Sequence, residues 1–349
     1  MEKHSSEKVI KSLAYVTQHA DREVLETSLA SSLYNLLSVP RIILYKIFYN
    51  TEQIECYCSI KVEDDETHVM DAGLSTEAIE INAVPGLENC IETKDTVLTE
   101  TDTNQYVMLY PTTNQFNQVV SIFRIDTYAE QKINEELISG YFQIYKNYLK
   151  LLDESERDTL TGLLNRRTFE RDLQKVLTEK NNQMTYLQDD GQRRSDKDNY
   201  THWLAVTDID FFKRVNDNFG HLYGDEVLLL MANLMRESFR GNDILFRFGG
   251  EEFVIILRST SKDGAYQALE RFRRTVEEYD FPQVGRVTTS LGYVEIAENS
   301  IPTEILGFAD EALYFSKDNG RNQLNQYEKL IADGHLTSHQ SVVDDIELF

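Results

Sequence analysis

The chain has 349 residues, enough for two domains that each bury a core of their own. Its 35 Lys and Arg residues against 59 Asp and Glu residues give a net charge of -24, which argues against a nucleic-acid-binding or anionic-membrane surface. The 3 cysteines suit a reducing cytosol, and no apolar segment is long enough for a signal peptide or a membrane span. We therefore expect a soluble, cytoplasmic protein.

Residues 1–127 predict a small domain that mixes helices and strands. Leucines at helical spacing follow Asp21 and stop before Pro40, which predicts a helix. Strand-like runs follow at 42–48, 53–60, 105–110 and 118–125, the first two joined by the hairpin signature Asn50-Thr51-Glu52. A helix, a hairpin, a looped middle and two closing strands resemble a GAF or PAS sensor fold, and their order favours GAF.

Residues 128–157 predict a long connecting helix, because they contain no proline and only one glycine, Gly140. Apolar residues recur in it at alternating spacings of three and four, at Leu137, Tyr141, Ile144, Tyr148 and Leu151. This pattern fits a parallel coiled coil between two subunits, and it equally fits a helix that packs on its own sensor domain. In both cases the helix runs directly into the segment that begins at Asp158.

Two acidic segments predict a shared cation site. The apolar strand at 203–206 is followed by Asp208 and Asp210, then by a polar loop and a helix that begins after Gly224. Residues 244–257 read as a hairpin turned at Gly249-Gly250, with Glu251 at its mouth. If the returning strand pairs beside the first, Asp208 and Glu251 face each other and form a magnesium site with hard oxygen ligands. The alternative is a solvated acidic loop beside an unrelated hairpin.

Five sequence blocks, in order, resemble the GGDEF family of diguanylate cyclases, here in its GGEEF form. They are residues 158–167, 208–228, 240–243, 249–253 and 311–322. The resemblance covers about half of the chain. It implies an α/β (α+β) protein: a ferredoxin-like, palm-type cyclase domain at 158–327, preceded by a GAF-like sensor domain at 1–127 and a signalling helix at 128–157, and followed by a tail at 328–349.

The resemblance implies that two GTP molecules are joined into cyclic di-GMP with loss of two pyrophosphates. Two Mg²⁺ ions per active site are implied, with Mn²⁺ as an alternative. The implied metal ligands are Asp208, the backbone carbonyl of Ile209, Glu251 and, as an additional candidate, Glu252. Glu251 is also the candidate to accept the proton of the attacking hydroxyl group. Lys213 is the catalytic candidate for contact with the transferring phosphate.

The implied substrate-binding residues are Phe211, Phe212, Asn216, His221, Asp225, Lys317 and Arg321. Asn216 and Asp225 match the positions that read guanine, and their amide and carboxylate suit its edges. Asp225 also has a structural interpretation, as a cap where the helix after Gly224 begins. Lys317 and Arg321 match the contacts to the triphosphate tail, although such an i,i+4 pair is often a solvated face.

Arg240 and Asp243 form an RxxD pattern that resembles the family's inhibitory site for cyclic di-GMP. The structural alternative is an i,i+3 ion pair. Residues 179–201 are polar and predict a long surface loop. The final DDIELF resembles a docking peptide on an acidic tail, and the alternative is a terminal segment that folds back or frays. Further elements are expected as a helix at 263–279, a strand at 286–295 and a helix at 303–318.

Since one cyclase domain holds one GTP, the resemblance implies a homodimer whose two domains face each other. No nucleic-acid or membrane partner is expected. The rival function is a non-catalytic receptor that binds GTP or cyclic di-GMP and signals by docking to a partner.

Overall fold

The chain divides into two compact units, Met1–Thr159 and Leu160–Phe349. The structure, a computed structural model, describes residues 21–49, 54–70, 78–101, 105–114, 117–128, 135–189, 201–297 and 300–337. Residues 1–20, the turn predicted at 50–52 and the DDIELF segment lie outside these residues. Among the residues described, no helix is long and apolar enough to cross a membrane.

The first unit is built around one antiparallel sheet. Its elements are α1 Arg22–Leu37, β1 Arg41–Tyr49, β2 Ile54–Glu63, β3 Glu66–Val69, a 3-10 turn Ile81–Ala83, α2 Leu87–Thr93, β4 Val97–Glu100, β5 Gln105–Thr113, β6 Val119–Tyr128 and α3 Glu135–Glu156. The strand order is β3-β2-β1-β6-β5-β4. The predicted helix and all four predicted strands are confirmed. The middle segment, expected to be looped, contains α2 and the short strands β3 and β4.

Both faces of this sheet are covered. On one face, α1 and α3 bury a core that includes Leu25, Leu29 and Phe123. On the other face, α2 packs Leu87 and Cys90 against residues of the strands. The four longer strands β1, β2, β5 and β6 therefore contribute side chains to two cores, which explains why their runs are apolar with few polar interruptions.

The long helix α3 packs on its own unit, which is one of the two arrangements that its sequence allows. Tyr141, Tyr145 and Leu149 are buried in the core that α1 shares with the sheet. The hydroxyl group of Tyr145 donates to Glu26 Oε1 at 3.0 Å. The predicted seam is offset from the buried face by about one residue, because Leu151 is 61% exposed.

The second unit contains a larger mixed sheet. Its elements are β7 Leu164–Asn165, α4 Arg166–Asp189, β8 Thr201–Ile209, α5 Phe212–Phe219, α6 His221–Ser238, β9 Ile244–Gly249, β10 Glu252–Thr260, α7 Lys262–Glu278, β11 Asp280–Phe281, β12 Gly285–Arg286, β13 Thr289–Ile296, α8 Pro302–Asp318, β14 Leu324–Gln326 and α9 Tyr327–Ala332. The strand order is β14-β13-β8-β10-β9-β7, and β11 pairs with β12 apart from it. The predicted β-α-β-β-α-β order is confirmed by β8, β9, β10 and β13 with their helices.

Alternation along β8 divides the unit into two cores. Trp203 and Ala205 point into the core formed with α6 and α7, whereas Leu204 and Val206 point into the core formed with α4 and α8. All four side chains are buried. The central strand is thus fixed in register from both faces, and its C-terminal end can present polar side chains at a defined place.

Two predictions for the second unit are wrong. The helix α4 continues to Asp189, so residues 179–189 are not the expected loop, while residues 190–200 lie outside the described part. The loop expected after Asp210 contains the helix α5. The segment expected as a tail from 328 begins with α9, whose Leu330 is buried in the core with α8, so its first residues fold back onto the unit.

Candidate active site

Asp208, Glu251 and Glu252 lie at one edge of the second unit's sheet. The strands β8 and β10 run antiparallel, with Asp208 opposite Glu252. The backbone amide of Ile209 donates to the carbonyl oxygen of Glu251, with 3.4 Å between nitrogen and oxygen. The structure therefore brings the predicted acidic residues of both segments to the ends of two neighbouring strands.

The hairpin turn that carries Glu251 is fixed by its glycine and by an arginine. Gly250 has a φ of +53°, a left-handed conformation that favours glycine. Its carbonyl oxygen accepts from Nε and Nη2 of Arg247, at 3.1 and 2.9 Å. On the other side of the turn, Phe253 is fully buried. These contacts give the backbone at Glu251 a defined position.

Burial, more than the neighbouring carboxylates, makes the ionisation of Asp208 unfavourable. Asp208 is 5% exposed. Burial, with a contribution from Glu251 and Glu252, raises the pKa of Asp208 to about 6. Lys317 opposes this rise, because its Nζ lies 2.9 Å from Asp208 Oδ1. Burial also raises the pKa of Glu251, which is partly buried.

The donor set at this edge fits a divalent cation. Two carboxylates with raised pKa values and the backbone carbonyl of Ile209 are hard oxygen donors of the kind that Mg²⁺ prefers. A bound cation would offset the burial and the repulsion that together raise the pKa of Asp208. No group of three or more His, Cys, Asp or Glu side chains within the described residues is placed to hold a metal ion. Glu252 therefore adds no third carboxylate to a ready-made cluster, and the remaining ligands would have to come from substrate and water.

The two predicted guanine-reading residues lie on neighbouring helices that pack closely. Asn216 is on α5 and Asp225 is on α6. A Cβ atom added to Gly224 would lie 3.1 Å from Asn216 Cγ and would collide with its Oδ1, so the amide of Asn216 occupies the space that this glycine leaves. Asp225 follows directly in the chain. The structural interpretation of Asp225 as a cap is wrong, since α6 begins at His221.

The Phe-Phe-Lys segment places its three side chains in different surroundings. Phe212 is 5% exposed and belongs to the core, so its ring is a structural anchor for α5. Phe211 is 49% exposed, and its φ of +58° is left-handed. Lys213 and the helix-initiating His221 are exposed. Of these four residues, Phe211, Lys213 and His221 thus keep side chains accessible to a ligand, and Phe212 does not.

The predicted phosphate-binding residues lie beside the acidic edge. Lys317 is on α8 and is paired with Asp208. Arg321 follows α8 and lies with its guanidinium carbon 4.6 Å from the centre of the Phe211 ring. Arg214 lies over the same ring at 4.5 Å. Lys317 thus places positive charge at the carboxylates, and the two arginines place more at Phe211, in a chain whose net charge is -24.

A family comparison agrees with this arrangement. Residues 155–323 match the family model described as diguanylate cyclase, GGDEF domain. Residues 155–323 form a GGDEF domain. The acidic edge, the Gly249-Gly250 turn and every strand of the second unit's mixed sheet except β14 lie within it.

Curated relatives share this GGDEF domain. The diguanylate cyclase DgcP of Pseudomonas aeruginosa is 33% identical over 213 residues, which cover 56% of this chain and 30% of DgcP. The diguanylate cyclase VdcA of Vibrio cholerae is 35% identical over 201 residues, which cover 55% of this chain and 54% of VdcA. The chain thus spans about a third to a half of the length of these two relatives.

A solved structure also aligns with the GGDEF domain. The coiled coil and GGDEF domain of DgcB from Caulobacter crescentus, in complex with c-di-GMP, is 25% identical with a TM-score of 0.47. The alignment covers 55% of this chain and 95% of the DgcB chain.

The RxxD residues of the GGDEF domain close a turn before β9. The Asp243 carboxylate accepts from the backbone amides of Arg240 and Arg258, at 2.9 and 3.2 Å. Burial raises the pKa of Asp243. The side chain of Arg240 is exposed. Asp243 therefore has a structural role in this turn, and the guanidinium of Arg240 remains accessible to an anionic ligand.

Three residues of the site carry roles that the sequence analysis does not assign. Arg247 holds the hairpin turn, Gly224 makes room for Asn216, and Asp210 accepts hydrogen bonds from three neighbours. An arginine two residues before the Gly-Gly turn is a visible signal for the first. The other two depend on contacts between segments that are distant in sequence.

Proposed function

We propose that the protein is a diguanylate cyclase that condenses two GTP molecules into cyclic di-GMP and releases two pyrophosphates. The observation that carries this proposal is the pair Asp208 and Glu251, held at neighbouring strand ends of a GGDEF domain. Both carboxyl groups have raised pKa values, mainly through burial. Such a pair is stabilised by a divalent cation, which the reaction requires to bring phosphates close to carboxylates.

Glu251 is the proposed base. In each half-reaction the 3′-hydroxyl oxygen of one GTP forms a bond to the α-phosphorus of the other, and the bond from that phosphorus to pyrophosphate breaks. The hydroxyl proton passes to Glu251. A glutamate whose pKa is raised by burial accepts a proton more readily than an ordinary one. Repeating the step with the roles of the two nucleotides exchanged closes the ring.

Magnesium, when bound, neutralises charge on the reacting phosphates. Asp208, the carbonyl group of Ile209 and Glu251 are the proposed ligands, with Mn²⁺ as an alternative metal. Lys317 already lies at Asp208, so its ammonium group is close to where metal-bound phosphates would be held. Lys213 and Arg321 are the proposed additional phosphate contacts.

Asn216 and Asp225 are the proposed guanine-reading residues. A carboxylate accepts hydrogen bonds from the guanine N1–H and N2–H₂ groups, and an amide can address a carbonyl or ring nitrogen. Their proximity across α5 and α6, which depends on Gly224, supports a shared contact surface for one base. Retention of Asp225 favours guanine in both halves of the product.

The proposed enzyme acts as a homodimer, because each GGDEF domain would present one GTP to the other. The first unit is proposed as a GAF-like sensor, on the strength of its strand order and of the helices on both faces. Its helix α3 would transmit the signal. Arg240 and Asp243 are the proposed inhibitory site for the product.

Incubation of the protein with GTP and Mg²⁺, followed by chromatography of the nucleotides, tests the activity. We expect cyclic di-GMP and pyrophosphate, and we expect Glu251→Gln to lower the rate at least about 100-fold through loss of the base and of a metal ligand. Glu237→Gln, on the exposed side of α6, is the matched control and should keep full activity. GTP binding without any product would favour the receptor function instead.

A further inference from the structure

Asp210 is a buried aspartate two residues beyond Asp208, and its carboxylate is bound by three hydrogen-bond donors. The side chain is 5% exposed. Its Oδ1 accepts from Ser290 Oγ at 2.7 Å, and its Oδ2 accepts from Thr288 Oγ1 at 2.7 Å. Oδ2 also accepts from the backbone amide of Asn322 at 3.0 Å. One carboxylate thus joins the end of β8, the start of β13 and the turn that follows α8.

The turn that Asp210 binds has an unfavourable backbone conformation. Arg321 and Asn322 have φ values of +64° and +48°, so two consecutive residues with side chains are left-handed. Residues other than glycine adopt this conformation only where their surroundings hold them in it. The backbone amide of Asn322, which donates to Asp210, also donates to Ser290 Oγ at 3.1 Å.

The side chain of Asn322 anchors the same turn from the opposite direction. Its Nδ2 donates to Glu277 Oε1 at 2.7 Å, and its Oδ1 accepts from Arg273 Nη1 at 2.6 Å. Both partners belong to α7. The backbone of Asn322 is therefore held by Asp210 and its side chain by α7, which leaves the turn little freedom.

This conformation determines where the guanidinium of Arg321 lies. The group stacks on the ring of Phe211, at 4.6 Å from its centre, and Phe211 directly follows Asp210 in the chain. Phe211 is itself left-handed, with a φ of +58°. Asp210 thus fixes the backbone on both sides of the contact between Phe211 and Arg321.

We propose that Asp210 is a positioning residue, which holds Arg321 in place to bind the triphosphate of GTP, and that it is not a metal ligand. Hydrogen bonds that hold a strained turn already use both acceptor positions of Oδ2 and one of the two on Oδ1, so little of this carboxylate is left for a metal ion. The inference rests on the proposed function, in which Arg321 contacts the triphosphate. It adds a residue whose effect on the substrate is exerted through Arg321.

Two substitutions of Asp210 separate positioning from metal binding. Asp210→Asn keeps the shape of the side chain: its oxygen can still accept from Asn322 and Thr288, and its amide can donate to the hydroxyl group of Ser290. Asp210→Ala removes all three hydrogen bonds. The probe is a GTP analogue with a methylene group between the α- and β-phosphorus atoms, titrated in Mg²⁺ by calorimetry, so that no turnover occurs.

We expect Asp210→Asn to bind the analogue within about threefold of the unsubstituted protein, and Asp210→Ala to bind it roughly tenfold more weakly. Arg321→Gln should weaken binding by a similar factor. Combining it with Asp210→Ala should add little, because both changes remove the same contact. Asp310→Asn, at an exposed position of α8, is the matched control and should leave binding unchanged.

The Mg²⁺ dependence of analogue binding supplies an independent readout. Asp208→Asn should raise the Mg²⁺ concentration needed for binding, whereas Asp210→Asn should not. If both variants raise the required Mg²⁺ concentration equally, the inference is overturned. It is also overturned if the double variant Asp210→Ala with Arg321→Gln loses affinity by the product of the two single losses. If the fluorescence of Trp203 shows that Asp210→Ala does not fold, binding of the analogue is measured instead with Ser290→Ala and with Thr288→Val. Each should weaken binding roughly threefold, and no change in either would also overturn the inference.

Failure of the proposed function gives a different result. An unsubstituted protein that does not bind the analogue at any Mg²⁺ concentration would reject the proposed function and, with it, the role of Arg321. Binding by the unsubstituted protein together with full binding by Asp210→Ala would reject the positioning role alone.

Discussion

Replacing Gly292 by alanine should strongly destabilise the GGDEF domain, because α8 rests directly on this residue. Gly292 lies in β13 opposite Val206 of β8. A Cβ atom added to it would lie 2.6 Å from the carbonyl carbon of Ala312 and would also collide with backbone atoms of Ala309 and Leu313. These are backbone atoms of α8, so no rotation of a side chain can relieve the collision.

The cost follows from the distance that the helix would have to move. Carbon atoms in contact are about 3.5 Å apart or more, so α8 would have to retreat by roughly 1 Å along this contact. The retreat would loosen the buried face of α8 and the hydrogen bond of 2.7 Å from Ser316 Oγ to the carbonyl oxygen of Leu291. Overpacking typically costs about 1–3 kcal/mol, and the backbone collision places Gly292→Ala near about 3 kcal/mol.

The fluorescence of Trp203 in urea measures this change. It is the 1 tryptophan of the chain, and at 1% exposed it reports on the core of the GGDEF domain alone. With a urea dependence of about 2 kcal/mol per M, the unfolding midpoint should fall by roughly 1.5 M. Gly307→Ala, on the same helix but with no neighbour within 4 Å, should instead raise it slightly through better helix propensity. A midpoint for Gly292→Ala that stays close to the unsubstituted value would refute the close approach of α8 to β13.

Three further predictions concern charge, thiols and assembly. Since burial raises the pKa of Asp208 from 3.8 to about 6, its ionisation opposes folding as the pH rises through this range, by up to about 3 kcal/mol. Asp208→Asn should therefore raise the urea midpoint at pH 7.5 in metal-free buffer but hardly at pH 4, and an equal gain at both pH values would contradict this. Burial raises the pKa of Cys56 to about 12, so iodoacetamide at pH 8 should label the partly exposed Cys58 first, as mass spectrometry of peptides can show. Leu151→Lys should shift the sedimentation coefficient towards a monomer and lower turnover more than GTP binding, whereas unchanged sedimentation would exclude α3 as the contact between subunits.

The strands around the site could be predicted because their apolar runs are long and end abruptly in acidic residues. The runs Trp203 to Val206 and Phe253 to Leu257 have the length and composition of buried strands, and the Gly249-Gly250 turn returns the second run beside β9. The helix α5 was missed because only Phe212 and Val215 of its 8 residues are buried. Such a short apolar signal is lost among polar neighbours.

Two other differences arise because hydrophobic periodicity does not fix every helix. Residues 179–189 continue α4 although they are largely polar. They contain no glycine or proline to end the helix, and a prediction based on apolar periodicity does not use that signal. In α3 the sequence offers two overlapping stripes, one through Leu137 and Tyr148 and one through Tyr145 and Leu149. The second stripe is the buried one, because it packs against residues of α1 and of the sheet. Those residues are distant in sequence, so the pattern within α3 does not show which stripe is buried.

Asp208 and Asp210 show how packing separates two aspartates that look equivalent in the sequence. They lie two residues apart, and each is 5% exposed. Asp210 receives three donors and therefore stabilises the loops that it joins. Asp208 has an ion pair with Lys317 and repulsion from Glu251 and Glu252, so its carboxylate is left under-compensated. A divalent cation would stabilise the ionised carboxylate of Asp208 more than that of Asp210, because the protein itself stabilises Asp208 less. Substitution of Asp208 should therefore change the Mg²⁺ dependence of nucleotide binding, and substitution of Asp210 should not.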